Sequence, residues 1–115
     1  MHELSLIQAL FDEVERVVAP HEGATIRAIH VRVGELAGVE TELFRSAYDV
    51  CRVAGPLAAA ELSLTVEPAV WRCSSCESEI ARGSVLACDR CGGTPHLAQG
   101  GDIFLDRVEA EVQHV

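Results

Sequence analysis

Two identical cysteine spacings, Cys73-x2-Cys76 and Cys88-x2-Cys91, constrain this chain more than any other feature. A CxxC turn presents two sulfurs on one side of a tight loop. Two such turns facing each other make the tetrahedral thiolate cage that zinc favours. Eleven residues separate the pairs, and Gly92-Gly93 after the second pair permits the backbone turn a knuckle needs. Four thiolates leave no position open for water, so the expected site, Cys73, Cys76, Cys88 and Cys91, is structural rather than catalytic. It would supply folding free energy to a segment too small to have its own core. The rival readings are two disulfides, four unconnected thiols, or a redox CxxC, which usually comes singly at the start of a helix. Cys51, the fifth cysteine, falls on the apolar side of a helical pattern and reads as a small hydrophobe.

The surrounding chain is short, 115 residues, enough for one small domain carrying a metal-stapled insert. Hydrophobic residues make up 49% and charged residues 23%, the balance of a folded soluble protein. With only five aromatics, Leu, Val, Ile and Ala must fill the core. The formal net charge of -9 opposes binding to phosphate backbones, which requires excess cations. It suits a basic protein partner or cation traffic. No apolar run approaches the length needed to cross a bilayer. Met1-His2-Glu3 lacks the basic start and apolar centre of a signal peptide. The expected location is the cytoplasm, where thiols stay reduced and paired cysteines serve as metal ligands.

Periodicity places the elements. Leu4, Ile7, Leu10, Phe11, Val14, Val17 and Val18 recur at helical spacing, and Pro20 and Gly23 end the helix. A strand follows from about Thr25 to Val33, with Ile29, Val31 and Val33 alternating against His30 and Arg32. A second helix fits about Thr41 to Val53, with Leu43, Phe44, Ala47, Tyr48 and Cys51 on its apolar face and Gly55-Pro56 as its stop. Leu62, Leu64 and Val66 alternate with polar residues in a half-wet strand. From Trp71 to about Pro95 the apolar period disappears. A last strand spans about Asp102 to Val112, and its parity shift predicts a bulge near Asp106-Arg107. The expected fold class is α+β: two helices on a three-stranded sheet, with an inserted zinc-ribbon-like four-cysteine module. Residues 1–70 plus 101–115 would form an α/β domain, and 71–100 the zinc-binding one.

The N-terminus carries a second chemistry. A histidine at position 2 offers its imidazole together with its own amide nitrogen and the free amine of Met1. These form fused chelate rings, which a Glu3 amide or a carboxylate can complete. Nickel(II) accepts square-planar nitrogen-rich sites, whereas zinc prefers tetrahedral ones. The bland alternative is an exposed histidine on a frayed terminus. His21, His30, His96 and His114 show no ligand spacing; His96 follows the second knuckle closely. There is no nucleophile–base pair, no phosphate-binding glycine loop and no open metal site, so the chain does not read as an enzyme.

Met1-His2-Glu3-Leu4-Ser5-Leu6, Val33-Gly34-Glu35-Leu36-Ala37-Gly38-Val39-Glu40, the two CxxC pairs, Gly101 and Arg107-Val108-Glu109-Ala110-Glu111 occur in this order, and together they resemble the HypA/HybF family. The resemblance covers essentially the whole chain. It implies a nickel metallochaperone of NiFe hydrogenase maturation, with structural zinc and transported nickel. Its implied partners are a nickel-handling GTPase, HypB, and the hydrogenase large-subunit precursor; no nucleic acid or membrane is implied, and the assembly is a monomer or weak homodimer. Met1 and His2 match the family's nickel ligands, with Glu3 and Glu40 as further candidates. Glu40 reads equally as a carboxylate favoured by a helix dipole. No histidine directly abuts a zinc cysteine, a departure that weakens any histidine-based switching at that site. The alternative function is a zinc-ribbon protein-interaction module without nickel.

Overall fold

Burial of one stripe organises the first helix. In the computed structural model, which describes residues 2–81 and 87–112 (of His2 the backbone alone), α1 spans His2–Val18. Ile7 and Val14 sit mid-stripe at 1% exposure, with Leu10 beside them. Leu4 and Val17, expected in the same stripe, fall to its flanks at 46% and 43% exposure. The helix stops where the proline removes a donor. Ala19 N still donates to Glu15 O at 2.9 Å, His21 N donates to Val18 O at 2.9 Å, and Gly23 turns the chain at φ +76°.

The strand β1 (Ala24–Gly34) is the centre of a three-stranded sheet ordered β2-β1-β6. It runs parallel to β2 (Glu61–Glu67) and antiparallel to β6 (Ile103–Val112). A parallel neighbour requires a crossover, here α2 (Thr41–Cys51). Ile29, Val31 and Val33 face the helices and are buried, as their alternation predicts. The predicted bulge is present. His30 pairs with Arg107 and Val31 with Leu105, leaving Asp106 as the extra residue. A second irregularity, between Ile26 and Ala28, was not expected.

α2 buries Phe44 and Tyr48 completely. The Tyr48 hydroxyl donates to Ala60 O at 2.9 Å, and its ring meets Phe11 edge-on at 6.0 Å. Burial pushes the Tyr48 phenol above its ordinary value. Leu43 corrects the sequence reading: it is 52% exposed rather than packed, because α2 turns only its Phe44–Tyr48 line inward. Ala47 and Cys51 are half-buried at the core's margin. The helix ends two residues before the expected Val53, with Arg52 N donating to Tyr48 O at 3.0 Å.

The cysteine segment has strands that its sequence did not announce. β3 (Val70–Cys73), β4 (Glu79–Ile80) and β5 (Pro95–Gln99) form an antiparallel sheet ordered β4-β3-β5. The chain thus enters and leaves this sheet through two adjacent linkers, at Pro68-Ala69 and Gly100-Gly101-Asp102. The segment after β1 clasps both. Glu35 N donates to Glu67 O, Leu36 N to Gly100 O and Gly34 N to Asp102 O, each at 2.8 Å. The Glu35 carboxylate accepts from Ala69 N at 2.8 Å, and the Glu67 carboxylate from Gly100 N at 3.3 Å. A β-carbon on Gly34 would lie 2.3 Å from the Gly100 backbone, so only glycine permits this approach. On its far face the three-stranded sheet carries exposed ion pairs. Arg32 lies 3.4 Å from both Glu67 and Asp106, and Arg27 lies 2.8 Å from Glu111.

Candidate metal centre

Each CxxC turn closes on itself by the same backbone bonds. In the first, Cys73 N donates to Ser78 O at 2.9 Å and Glu77 N to Cys73 O at 3.0 Å. In the second, Cys88 N donates to Gly93 O at 3.0 Å and Gly92 N to Cys88 O at 2.7 Å. In both, the amide two residues after the first cysteine points at its sulfur: Ser75 N to Cys73 Sγ at 3.3 Å, and Arg90 N to Cys88 Sγ at 3.4 Å. The knuckles are structural copies. Position by position, Glu77 matches Gly92 and Ser78 matches Gly93. Glu77 accordingly adopts φ 64°, the left-handed conformation that its counterpart Gly92 adopts at φ 72° without a side-chain penalty.

The copies face each other across the end of β3. Cys73 Sγ lies 3.4 Å from Cys91 Sγ, and Cys76 Sγ lies 3.7 Å from Cys88 Sγ. All four sulfurs fall within 4.8 Å of one another. A tetrahedron with zinc–sulfur bonds of about 2.3 Å has edges of about 3.8 Å, so the four atoms are spaced as such a cage requires. All five cysteines are free thiols. Cys73 and Cys88, the first of each pair, are buried, and Cys76 and Cys91 are exposed. This donor set suits a soft, tetrahedral ion and fits zinc.

The electrostatics point the same way. The Cys76 thiol is pulled down to about 6, first by the Ser78 hydroxyl 3.3 Å away. Backbone N–H groups of Cys76 and Ser75 hold Cys73 below its ordinary value. Cys91 is pushed up to about 12, first through its hydrogen bond with Cys73. The Ser78 hydroxyl and backbone donors stabilise the first thiolates, and the accumulating negative charge makes the last proton hard to remove. A divalent cation at the centre of the four sulfurs offsets that repulsion.

Sequence reasoning missed Ser78 and misread Gly93. A β-carbon on Gly93 would lie 2.6 Å from Cys73 Sγ and 3.2 Å from Cys91 Sγ, so its smallness makes room for sulfur rather than for a turn. Aligning the two CxxC repeats would have exposed both positions.

The other candidate residues lie elsewhere. Met1 and the His2 side chain are outside the described residues, as is His114. α1 begins at His2, and Glu3 is half-buried in its first turn. Glu40 is the exposed N-cap of α2, without a side-chain cap bond. His96 sits exposed on β5, its Nδ1 3.4 Å from Ser74 Oγ. His21 is exposed after α1, and His30 Nε2 lies 3.5 Å from Glu109 on the far sheet face. No helix among the described residues is long and apolar enough to cross a membrane.

Comparison with known proteins connects these parts. Residues 1–110 match the family described as "Hydrogenase/urease nickel incorporation, metallochaperone, hypA". The hydrogenase maturation factor HypA of Deinococcus radiodurans is 38% identical over 109 residues, covering 91% of this chain and 89% of that protein. That of Shewanella halifaxensis is 32% identical over 114 residues, covering 96% and 98%. The solution structure of the Ni metallochaperone HypA from Helicobacter pylori superposes with a TM-score of 0.73 over 96% of this chain and 98% of that one. At 22% identity this last likeness speaks for the fold. With the two sheets, two helices and four-cysteine cluster already described, the match along nearly the whole chain makes this protein a member of the HypA family of hydrogenase maturation nickel metallochaperones.

Proposed function

We propose that this chain carries nickel(II) to the large-subunit precursor of a NiFe hydrogenase, receiving or passing it in complex with a HypB-type GTPase. The observation that carries this reading is the family match, which begins at residue 1 and so includes Met1-His2-Glu3. Met1, through its amine, and His2, through its amide and imidazole, are the nickel donors; Glu3 and Glu40 are the carboxylates available to complete the sphere. Helix geometry supports the choice. The first N–H groups of a helix have no intrahelical acceptor, so the amides at the start of α1 can be deprotonated without breaking its ladder. Both carboxylates sit at helix N-termini, where the dipole favours negative charge.

Cys73, Cys76, Cys88 and Cys91 would hold zinc as a resident ion that folds and stiffens residues 71–100, a unit distinct from 1–70 plus 101–115. Nickel is cargo, bound by a different donor set in a different geometry, which keeps the two ions apart. No step of this function is catalytic, and we assign the chain to the cytoplasm, acting as a monomer or weak homodimer without nucleic acid or membrane.

Calorimetry on untagged protein tests the reading. His2→Ala should weaken nickel binding at least a hundredfold, with zinc content and far-UV dichroism unchanged. An N-terminal extension that blocks the amine should act in the same direction. Nickel affinity should rise with pH, because binding through amides releases protons. Wild-type-like nickel affinity in His2→Ala would leave the alternative, a zinc-ribbon protein-interaction module without nickel.

A further inference from the structure

The two helices do not close over the sheet they cover. Two packed helices with axes about 10 Å apart span about 20 Å. Three strands spaced about 4.8 Å apart span about 14 Å. The excess has to fall beyond an edge strand. α2 is anchored on the β2 side, where Arg45 donates to Leu62 O at 3.0 Å. The gap opens on the other side, between α1 and β6. A groove of about 310 Å³ lies there, walled by Leu6, Ala9 and Leu10 of α1 and by Ile103 and Leu105 of β6, with Phe44 among its lining. Farther along the same seam a second hollow of about 230 Å³ is lined by Val17, Val18, Val108, Ala110 and Val112.

β6 itself is an edge strand of ten residues, and among the described residues its outer side has no strand partner. An unpaired edge offers a row of backbone donors and acceptors ready for another strand. Here that row runs beside an apolar seam, so an added strand would find both main-chain bonds and places for its alternate side chains.

Charge selects among the occupants. Along β6 stand Asp106, Glu109 and Glu111 against Arg107 alone. Arg27 and Arg32 approach Glu111 and Asp106 from β1, but these pairs are exposed and hold little. The whole chain carries -9. A second copy brings the same excess of carboxylates to the junction and is repelled. A cationic strand is attracted.

We propose that the free edge of β6 docks an extended, cationic segment of a partner protein, added as a fourth strand with its alternate apolar side chains seated in the seam under α1. The site uses none of the residues assigned to either metal and does not depend on the nickel reading.

The test uses an acetylated, amidated heptapeptide of alternating Arg and Val, titrated into the full-length zinc-loaded protein and followed by amide NMR. Binding should shift and protect amides of 103–112. Methylating the peptide's valine nitrogens should weaken binding at least tenfold, as should replacing its Arg with Glu. Ala9→Arg, on an exposed position of α1 that lines the groove, should also weaken it at least tenfold while leaving Tm and nickel affinity unchanged. No binding at millimolar peptide overturns the proposal. So does binding that is indifferent to N-methylation, or shifts confined to the far sheet face or the cysteine module. Sedimentation showing a homodimer whose β6 amides are already protected would assign the edge to a second copy and overturn it equally.

Discussion

The helix-covered sheet and the cysteine module lie next to each other in one chain and are held together by different physics. The first buries Ile7, Val14, Ile29, Val31, Val33, Phe44 and Tyr48 in a continuous apolar core. Among the described residues the second buries little besides Cys73, Cys88 and Ile80, with Trp71 packed at the side. Removing apolar area from water is worth roughly 25 cal/mol per Å², and a cluster of that size offers too little to offset the entropy of ordering about thirty residues. The module therefore relies on its sulfurs, and the body does not. The clasp formed by Gly34, Glu35 and Leu36 joins a core-driven unit to a ligand-driven one without merging their cores.

The largest effect expected from this contrast comes from removing the module's ion. Structural zinc sites of this class contribute about 10–16 kcal/mol to folding. A strong chelator, or Cys73→Ser, should unfold 70–99 while the helices persist. Far-UV dichroism should keep its helical signal as amide protection disappears from β3 and β5. Concerted melting of both units on chelation would break the comparison.

A smaller effect should follow from hollowing the body. Phe44→Ala removes a wholly buried ring, at a cost of about 3–5 kcal/mol. Denaturant melts of the zinc-loaded variant should show the loss, with zinc stoichiometry unchanged. Loss of zinc in this variant would mean that the two units fold as one.

The smallest expected effect tunes the cluster alone. In the folded knuckle Ser78 holds the Cys76 thiol down to about 6, so protons should displace zinc at a higher pH in Ser78→Ala than in the wild type. The sign follows from the depressed value. The thiolate's stabilisation is complete above the ordinary thiol range, near 9, and is lost as pH falls through about 6. Cys91, pushed up to about 12, works oppositely: its protonated form is favoured, and that stabilisation disappears only at strongly alkaline pH. A chromogenic zinc indicator followed through an acid titration reads the midpoint of zinc release. An unchanged midpoint in Ser78→Ala would mean that the serine does not tune Cys76.

Much of this contrast is legible in the chain as written. Alternation in Ile29-His30-Val31-Arg32-Val33 identifies a one-sided strand because side chains in a strand repeat every two residues. The parity slip after Leu105 is a local property of β6, and the bulge at Asp106 follows from it. The strands of the module were not legible. β4 has two residues and β3 four, too few for a period to register. Leu43 was misplaced because helical spacing defines a stripe without saying how much of it a neighbour will cover.

The sequence by itself determined the donor set of the four-cysteine cluster, the spacing of its knuckles, and which face of each long element turns inward. These are local quantities, carried by side-chain chemistry and by periods of a few residues. Only the tertiary structure decided the parallel pairing of β1 with β2, the place of β6 at the edge of the sheet, and the clasp at Gly34. It also separated the roles of Gly92, which needs a left-handed turn, and Gly93, which yields space to sulfur. Those outcomes depend on backbone segments far apart in the chain approaching within a few ångströms, and no local spacing encodes such a distance.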